Sequence, residues 1–203
     1  MNDIPIVLLA AGASSRMGEP KPLLPWGELT LVEHQIKTLS ATGNPVVVVL
    51  GNQAENIIPI LQNLLVKFTI NESWEQGMGT SIAEGVKFLE QQFPASKGVL
   101  ITLIDQPLIT TAHLNDLTSN FKPDKQQIIV SQADSGWQGV PVLFDRFYFD
   151  ELSALSGKQG AKAIFRNYTE HVKTIQCGEI LEDMDTPEQY QKLKKVINQQ
   201  KNC

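Results

Sequence analysis

Through the first 120 residues, unbroken apolar runs alternate with stretches whose apolar residues recur every three or four positions. Residues 4–9, 45–50 and 98–104 read as strands covered on both faces, and the third of the four segments, 66–70, reads as a short strand. Between them, Leu31, Val32, Ile36 and Leu39 form one helical stripe, residues 54–65 a second helix, and Ile82, Val86 and Leu89 the stripe of a third over 80–92. Thr30 with Glu33 three places on predicts a capping box at the first of these, and Gly43 its end. A helix over 113–120, capped by Thr110 or Thr111, follows the fourth run. Beyond it the pattern predicts strands at 128–131 and 140–144 around a polar loop, 132–139. Helices at 147–155 and 160–167, a strand at 172–175 and a last helix at 187–199 complete the chain. Alternating strand and helix predict an α/β fold in three layers, α/β/α and Rossmann-like, with a mostly parallel sheet. No repeat, linker or low-complexity tract breaks the 203 residues, so one domain is expected.

Composition narrows the partners. The net charge is -5 and no long basic run exists, which argues against nucleic acid as a general partner. Phosphate binding, if any, has to be local. The two cysteines, Cys177 and Cys203, form no CxxC or Cys/His cluster, so structural zinc is not expected and two free thiols are. Residues 1–9 lack the basic start and apolar length of a secretion signal, and no run is long enough for a membrane span. A cytoplasmic protein with no membrane partner is the expectation.

In open parallel sheets ligands collect beyond the carboxyl ends of the strands. Three polar stretches fall there. Residues 9–21 follow the first strand, with six small residues, Ala10 to Ser15, then Arg16 and Lys21. Small residues let backbone N–H groups approach an anion, though the same composition also suits a solvated surface loop. Neither of two familiar phosphate patterns fits: Glu19 follows Gly18 where a Walker loop needs Lys, and Ser14 stands at the second glycine of a dinucleotide fingerprint. Asp105 closes the fourth strand and Gln106-Pro107 stops it, so a hard oxygen ligand for Mg²⁺ or a simple turn residue both fit. Residues 71–81 place Gly77 and Gly79 before a helix. Near the end, Asp183 and Asp185 lie two residues apart, so on extended chain they point to opposite sides and one of them is available as a ligand. Thr186-Pro187-Glu188 behind them is also a good helix start.

The pattern L-A-A-G-x-S-x-R-M-G-x-x-K resembles the signature of the MobA-like NTP transferases, and its Ala-Ala-Gly form resembles the molybdenum cofactor cytidylyltransferases. Asp105-Gln106-Pro107, the D-x-D-T-P-E run ending at Glu188, the N-x-x-W-x-x-G-M-x-x-S run from Asn71 and the G-x-P-V-L-F run from Gly139 extend the resemblance from about residue 4 to 190. It implies a nucleotidyltransferase fold with the nucleotide on residues 1–120 and the acceptor on 121–203. It implies that Leu9, Ala10, Ala11, Gly12, Ser14, Arg16 and Lys21 hold the triphosphate, and that Gly79 and Ser81 meet base and ribose. Asp105 and Asp185 would bind Mg²⁺, and Arg16, Lys21 and Asp105 would be catalytic. The implied reaction moves a nucleoside monophosphate, CMP from CTP, onto a phosphate-bearing acceptor and releases pyrophosphate. That acceptor is the pterin cofactor's phosphate, with a molybdoenzyme as a further partner. Two departures lie on the acceptor side: Val140 stands where the family often has His, and Lys158 and Lys162 replace an acid and an Arg. They leave open a sugar or alcohol phosphate as acceptor, or a non-catalytic role in delivering a cofactor. His34, His113 and His171 are scattered and give no Ser-His-acid arrangement. Trp74 is a candidate wall for the nucleotide.

Overall fold

The computed structural model describes residues 4–200, with side chains to residue 196. Cys203, one of the two expected thiols, lies outside the described residues; Cys177 is a free thiol.

The chain runs β1 (Ile6–Ala10), β2 (Pro25–Trp26), β3 (Leu29–Thr30), α1 (Leu31–Ser40), β4 (Val46–Leu50), α2 (Ala54–Leu61), β5 (Lys67–Ile70), α3 (Met78–Gln92), β6 (Gly98–Leu103) and α4 (Thr111–Ser119). It continues through β7 (Ile128–Gln132), β8 (Gln138–Asp145), α5 (Phe149–Ser153), α6 (Lys162–Asn167), β9 (Val172–Gln176) and α7 (Pro187–Gln200). Seven strands form one sheet in the order β5-β4-β1-β6-β8-β7-β9, while β2 and β3 form a separate ribbon. Strand β8 is antiparallel to both its neighbours, and every other pairing within the seven-stranded sheet is parallel. All strands of the large sheet except β8 therefore end at one edge.

Pleating explains the layers. Ile6, Leu8 and Ala10 of β1 face one side with Val46, Val48 and Leu50 of β4, where α1, α2, α4 and α7 cover them. Val7 and Leu9 face the other side with Val47 and Val49, under α3, α5 and α6. A strand buried on both faces has no use for polar alternation, which is why these runs are unbroken. Each such side chain contributes about 1.5–3 kcal/mol on burial. Helix α3 lies close because Gly85 has no side chain: a Cβ there would stand 2.8 Å from Val7 Cγ1 and 2.9 Å from Val49 Cγ2.

The capping box at α1 is present, with Glu33 N–H on the Thr30 hydroxyl and the Glu33 carboxylate accepting the Thr30 N–H. Three expectations change. Helix α2 stops at Leu61 rather than 65, where the bonds shorten to Asn63 N–H on Ile60 and Leu64 N–H on Leu61. The expected helix over 147–155 is a 3₁₀ turn (Arg146–Tyr148) followed by the short α5. The β2–β3 ribbon breaks the expected loop after residue 21, and its Pro25 carbonyl accepts the Tyr190 hydroxyl of α7 at 2.6 Å.

Candidate active site

The small-residue loop leaves β1 at the shared strand edge. Ser14, at φ 51°, closes it twice. Its carbonyl accepts the N–H groups of Met17 at 2.8 Å and Gly18 at 3.2 Å, and its hydroxyl accepts the Lys21 N–H at 3.0 Å. From behind, Asn52 donates its N–H to the Ala11 carbonyl at 3.2 Å. Gly51 lets this happen: a Cβ there would stand 2.7 Å from both the Ala11 oxygen and Trp74 Cβ. Among the described residues, the N–H groups of Gly12, Ala13, Ser14 and Ser15 donate to no protein acceptor. Consecutive free N–H groups on a tight loop make an anion-binding concavity.

The loop forms one wall of a cavity of about 350 Å³. Leu9, Ala10, Ala11, Gly12, Ser14, Lys21 and Asp105 line it, and Trp74, Gly77, Met78 and Ser81 face them. Asn71, buried, builds the opposite wall. Its amide donates to Thr80 Oγ1 and Ser81 Oγ, each at 2.9 Å, and its carbonyl oxygen accepts the Ser73 N–H at 3.0 Å. With its oxygen accepting from Asn71, the Ser81 hydroxyl keeps its own proton to donate into the cavity. Gly77, at φ 124°, turns the chain into α3. Gly79 is not among the lining residues. It packs on the turn at 156–159, donating its N–H to the Gly157 carbonyl at 3.0 Å.

Lys21, Asp105 and Asp185 meet at the cavity mouth. Lys21 Nζ lies 3.1 Å from Asp105 Oδ2 and 2.6 Å from Asp185 Oδ1, and its side chain is only 9% exposed. Arg16, 70% exposed, reaches the other Asp185 oxygen at 2.8 Å. The Lys21 hydrogen bond first, with Lys21 and Arg16 charge behind it, holds the Asp185 carboxyl below the usual carboxylate range against burial. Asp183 instead accepts the Gln106 side-chain N–H at 3.1 Å. Burial, then the Asp105 charge, pushes its carboxyl up. The two segments are stitched by the Met184 N–H on the Asp105 carbonyl at 2.7 Å. Gln189, which the sequence reading passed over, accepts the N–H groups of Asp185 and Thr186, and Thr186 Oγ1 accepts its N–H at 3.3 Å. The T-x-x-Q spacing was its signal. Asn71 and Gly51 carried no such signal, since their roles are tertiary.

Asp105 Oδ1 is buried and has no hydrogen-bond partner among the described residues. A buried carboxylate oxygen without a donor invites a cation. No group of three or more His, Cys, Asp or Glu gathers among the described residues. This mouth can therefore offer a hard divalent ion two carboxylates, with the remaining positions open to water and substrate oxygens.

The profile of the MobA-like NTP transferase domain matches residues 6–173. The chain belongs to the MobA-like NTP transferase family. Its fold is that of the nucleotidyltransferases, and its activity class is nucleotidyl transfer. Nicotine blue oxidoreductase of Paenarthrobacter nicotinovorans is 32% identical over 92% of this chain and 94% of its own. Among solved structures, a homologue of Mycobacterium tuberculosis Rv0371c from Mycobacterium sp. strain JC1 superposes with a TM-score of 0.85 at 24% identity, covering 98% of both chains. A manganese complex of Rv0371c from strain H37Rv gives 0.75 at 24% identity over 95% of this chain and 98% of the other. Among the described residues no helix is long and apolar enough to cross a membrane.

Proposed function

We propose that this chain transfers CMP from CTP to a phosphate-bearing acceptor and releases pyrophosphate. One observation carries the reading. Three side chains distant in sequence, Lys21, Asp105 and Asp185, meet at the mouth of a cavity whose floor is a loop of free N–H groups. The N–H groups of residues 12–15 bind phosphate oxygens, and Arg16 and Lys21 offset charge growing on the departing pyrophosphate. Asp105 and Asp185 would hold Mg²⁺, which would supply Lewis-acid stabilisation of phosphate charge. Asp105 fits it, since its Oδ1 has no other partner, and Asp185 fits it once Lys21 gives up the Oδ1 it holds. The manganese in the Rv0371c complex supports a divalent ion in this fold. Orientation does the rest: holding acceptor and α-phosphorus in line removes the entropic part of the barrier.

Cytosine is favoured by Ala11. It is 4% exposed, lines the cavity, and packs its methyl in the cluster that includes Trp74, narrowing the base slot. Such steric devices give modest discrimination, on the order of 10–200-fold.

The acceptor enters from the other half of the edge. Two cavities of about 500 Å³ flank the Trp137 hairpin between β7 and β8. One is lined by Asp134, Glu179, Glu182 and Asp183, with its Lys192 already paired to Glu182 at 2.5 Å. The other has Lys162 and Arg166 and no acid, with Lys162 Nζ 5.6 Å from the Trp137 ring centroid. A phosphate ester belongs on the second side. A pterin phosphate, with a molybdoenzyme receiving the product, is the acceptor we favour; a sugar phosphate is the alternative.

Incubation with Mg²⁺, a panel of phosphate acceptors and either CTP or GTP, followed by pyrophosphate release, tests the reading. CTP with one acceptor is expected to turn over. Turnover with GTP alone overturns the base assignment. Nucleotide binding without pyrophosphate from any acceptor indicates a carrier instead.

A further inference from the structure

Lys21 stands where a cation shared by Asp105 and Asp185 has to stand. Its Nζ is 3.1 Å from one carboxylate and 2.6 Å from the other, and its buried stem fixes it there. Ammonium and divalent ion make the same demand on those oxygens, and a small ion needs them at about 2.0–2.1 Å. Both cannot be seated at once. Counted together, Arg16 and Lys21 balance Asp105 and Asp185, so these four paired groups add no net negative charge to draw a divalent ion. Yet Lys21 does not complete the seat. Asp105 Oδ1 remains without a donor, although an ammonium carries three N–H groups.

Lys21 is held to the loop at its backbone. Its own N–H is held by the Ser14 hydroxyl at 3.0 Å, so the base of the side chain stays with the loop while the tip swings. Among the described residues, Asp105 and Asp185 are the carboxylates it touches. Expelling it with nothing to receive it leaves a buried charge unpaired, which is costly. A triphosphate on the N–H groups of residues 12–15 changes that balance. It brings phosphate oxygens to the same cavity wall that Lys21 lines.

We propose that Lys21 is a resident counter-cation that keeps the Asp105–Asp185 seat closed to metal until a nucleoside triphosphate draws its ammonium away. Metal entry is thereby made conditional on nucleotide. The chain does not hold its divalent ion between turnovers. The inference rests on the reading of this cavity as a triphosphate site. Arg16 is the internal contrast: it carries the same charge but is exposed and touches only the far oxygen of Asp185, so it occupies no seat.

Water-proton relaxation with Mn²⁺ as the probe tests this on the intact chain, because it separates protein-bound ion from free ion and from the free nucleotide complex. Wild type is expected to take up Mn²⁺ only when CTP is present. Lys21→Met is expected to bind Mn²⁺ without nucleotide, at least about tenfold more tightly than wild type. Without nucleotide, Arg16→Met is expected to bind Mn²⁺ no more tightly than wild type. Lys21→Gln, checked by thermal melting, repeats the test with a polar side chain in case the methionine variant misfolds. Wild type binding Mn²⁺ alone as tightly as Lys21→Met overturns the inference and leaves the triphosphate reading intact. Equal gains from Lys21→Met and Arg16→Met overturn it too, by reducing the effect to net charge. No bound Mn²⁺ in any protein with CTP present overturns the triphosphate reading, and the inference with it.

Discussion

At the scale of single residues, Lys21 serves two purposes that its burial makes inseparable. It bridges the Asp105 and Asp185 carboxylates, and in the proposed reaction it faces the leaving phosphates. Lys21→Ala is expected to lower CMP transfer by about 10²–10³, the range for removing one preorganised donor to developing charge. Steady-state pyrophosphate release measures it, and near-wild-type turnover would remove Lys21 from the mechanism. His113 is a different case, buried and away from the cavity. Its Nε2 lies 2.7 Å from Ser131 Oγ, whose own proton goes to the Pro141 carbonyl at 2.6 Å, so Ser131 accepts and His113 donates. Burial lowers the His113 pKa from its ordinary 6.5, with Asp116 opposing. The folded state therefore holds fewer protons there than the unfolded chain. The stability this provides is full above pH 6.5 and is lost as pH falls towards and through the lower folded value. Urea midpoints between pH 8 and 5 should show the loss in wild type and a flatter profile in His113→Gln.

At the scale of elements, the turn after β4 sets the shape of the phosphate loop. Gly51 is there because Ala11 and Trp74 approach it from two sides. Gly51→Ala puts a carbon 2.7 Å from a backbone oxygen that cannot rotate away. The loop must then shift, and CTP affinity should fall by about tenfold or more while the sheet remains, since overpacking costs about 1–3 kcal/mol. Isothermal titration and circular dichroism together check this; unchanged affinity would show that the loop yields freely. The helix starts tell the complementary story. Thr30 with Glu33, and Thr186 with Gln189, follow from spacing alone because a capping box is a local bond. The start of α3 at Met78 does not, because Asn71 and the 156–159 turn define it from outside.

At the scale of the molecule, the single antiparallel strand β8 divides the working edge. The proposed nucleotide residues gather at β4, β1 and β6, and the Trp137 hairpin and α6 stand beyond β8. The turn between α5 and α6 joins the halves, for Gly157 holds Gly79 and a Cβ on Gly160 would stand 3.3 Å from Met78 Sδ. If the acceptor occupies the cationic side of Trp137, Lys162→Gln should raise the acceptor KM about tenfold and leave CTP binding unchanged, a typical cost for one charge-assisted contact. An equal effect on CTP would place Lys162 with the nucleotide.

By itself the sequence determined the layers and the edge. A six-residue apolar run has one stable fate, burial between two helical layers, and strand ends then put residues 9–21, 71–81 and 105 together without further information. The D-x-D spacing likewise separated Asp183 from Asp185, as pleating requires. Only the tertiary structure decided which charges meet. Lys21 and Asp185 lie 164 residues apart, and no local bond joins them. Their contact follows from the stitching of residue 184 to residue 105 across the sheet edge, a distance in space that periodicity does not encode. The orphan oxygen of Asp105 is of the same kind, since burial of one atom depends on every neighbour at once.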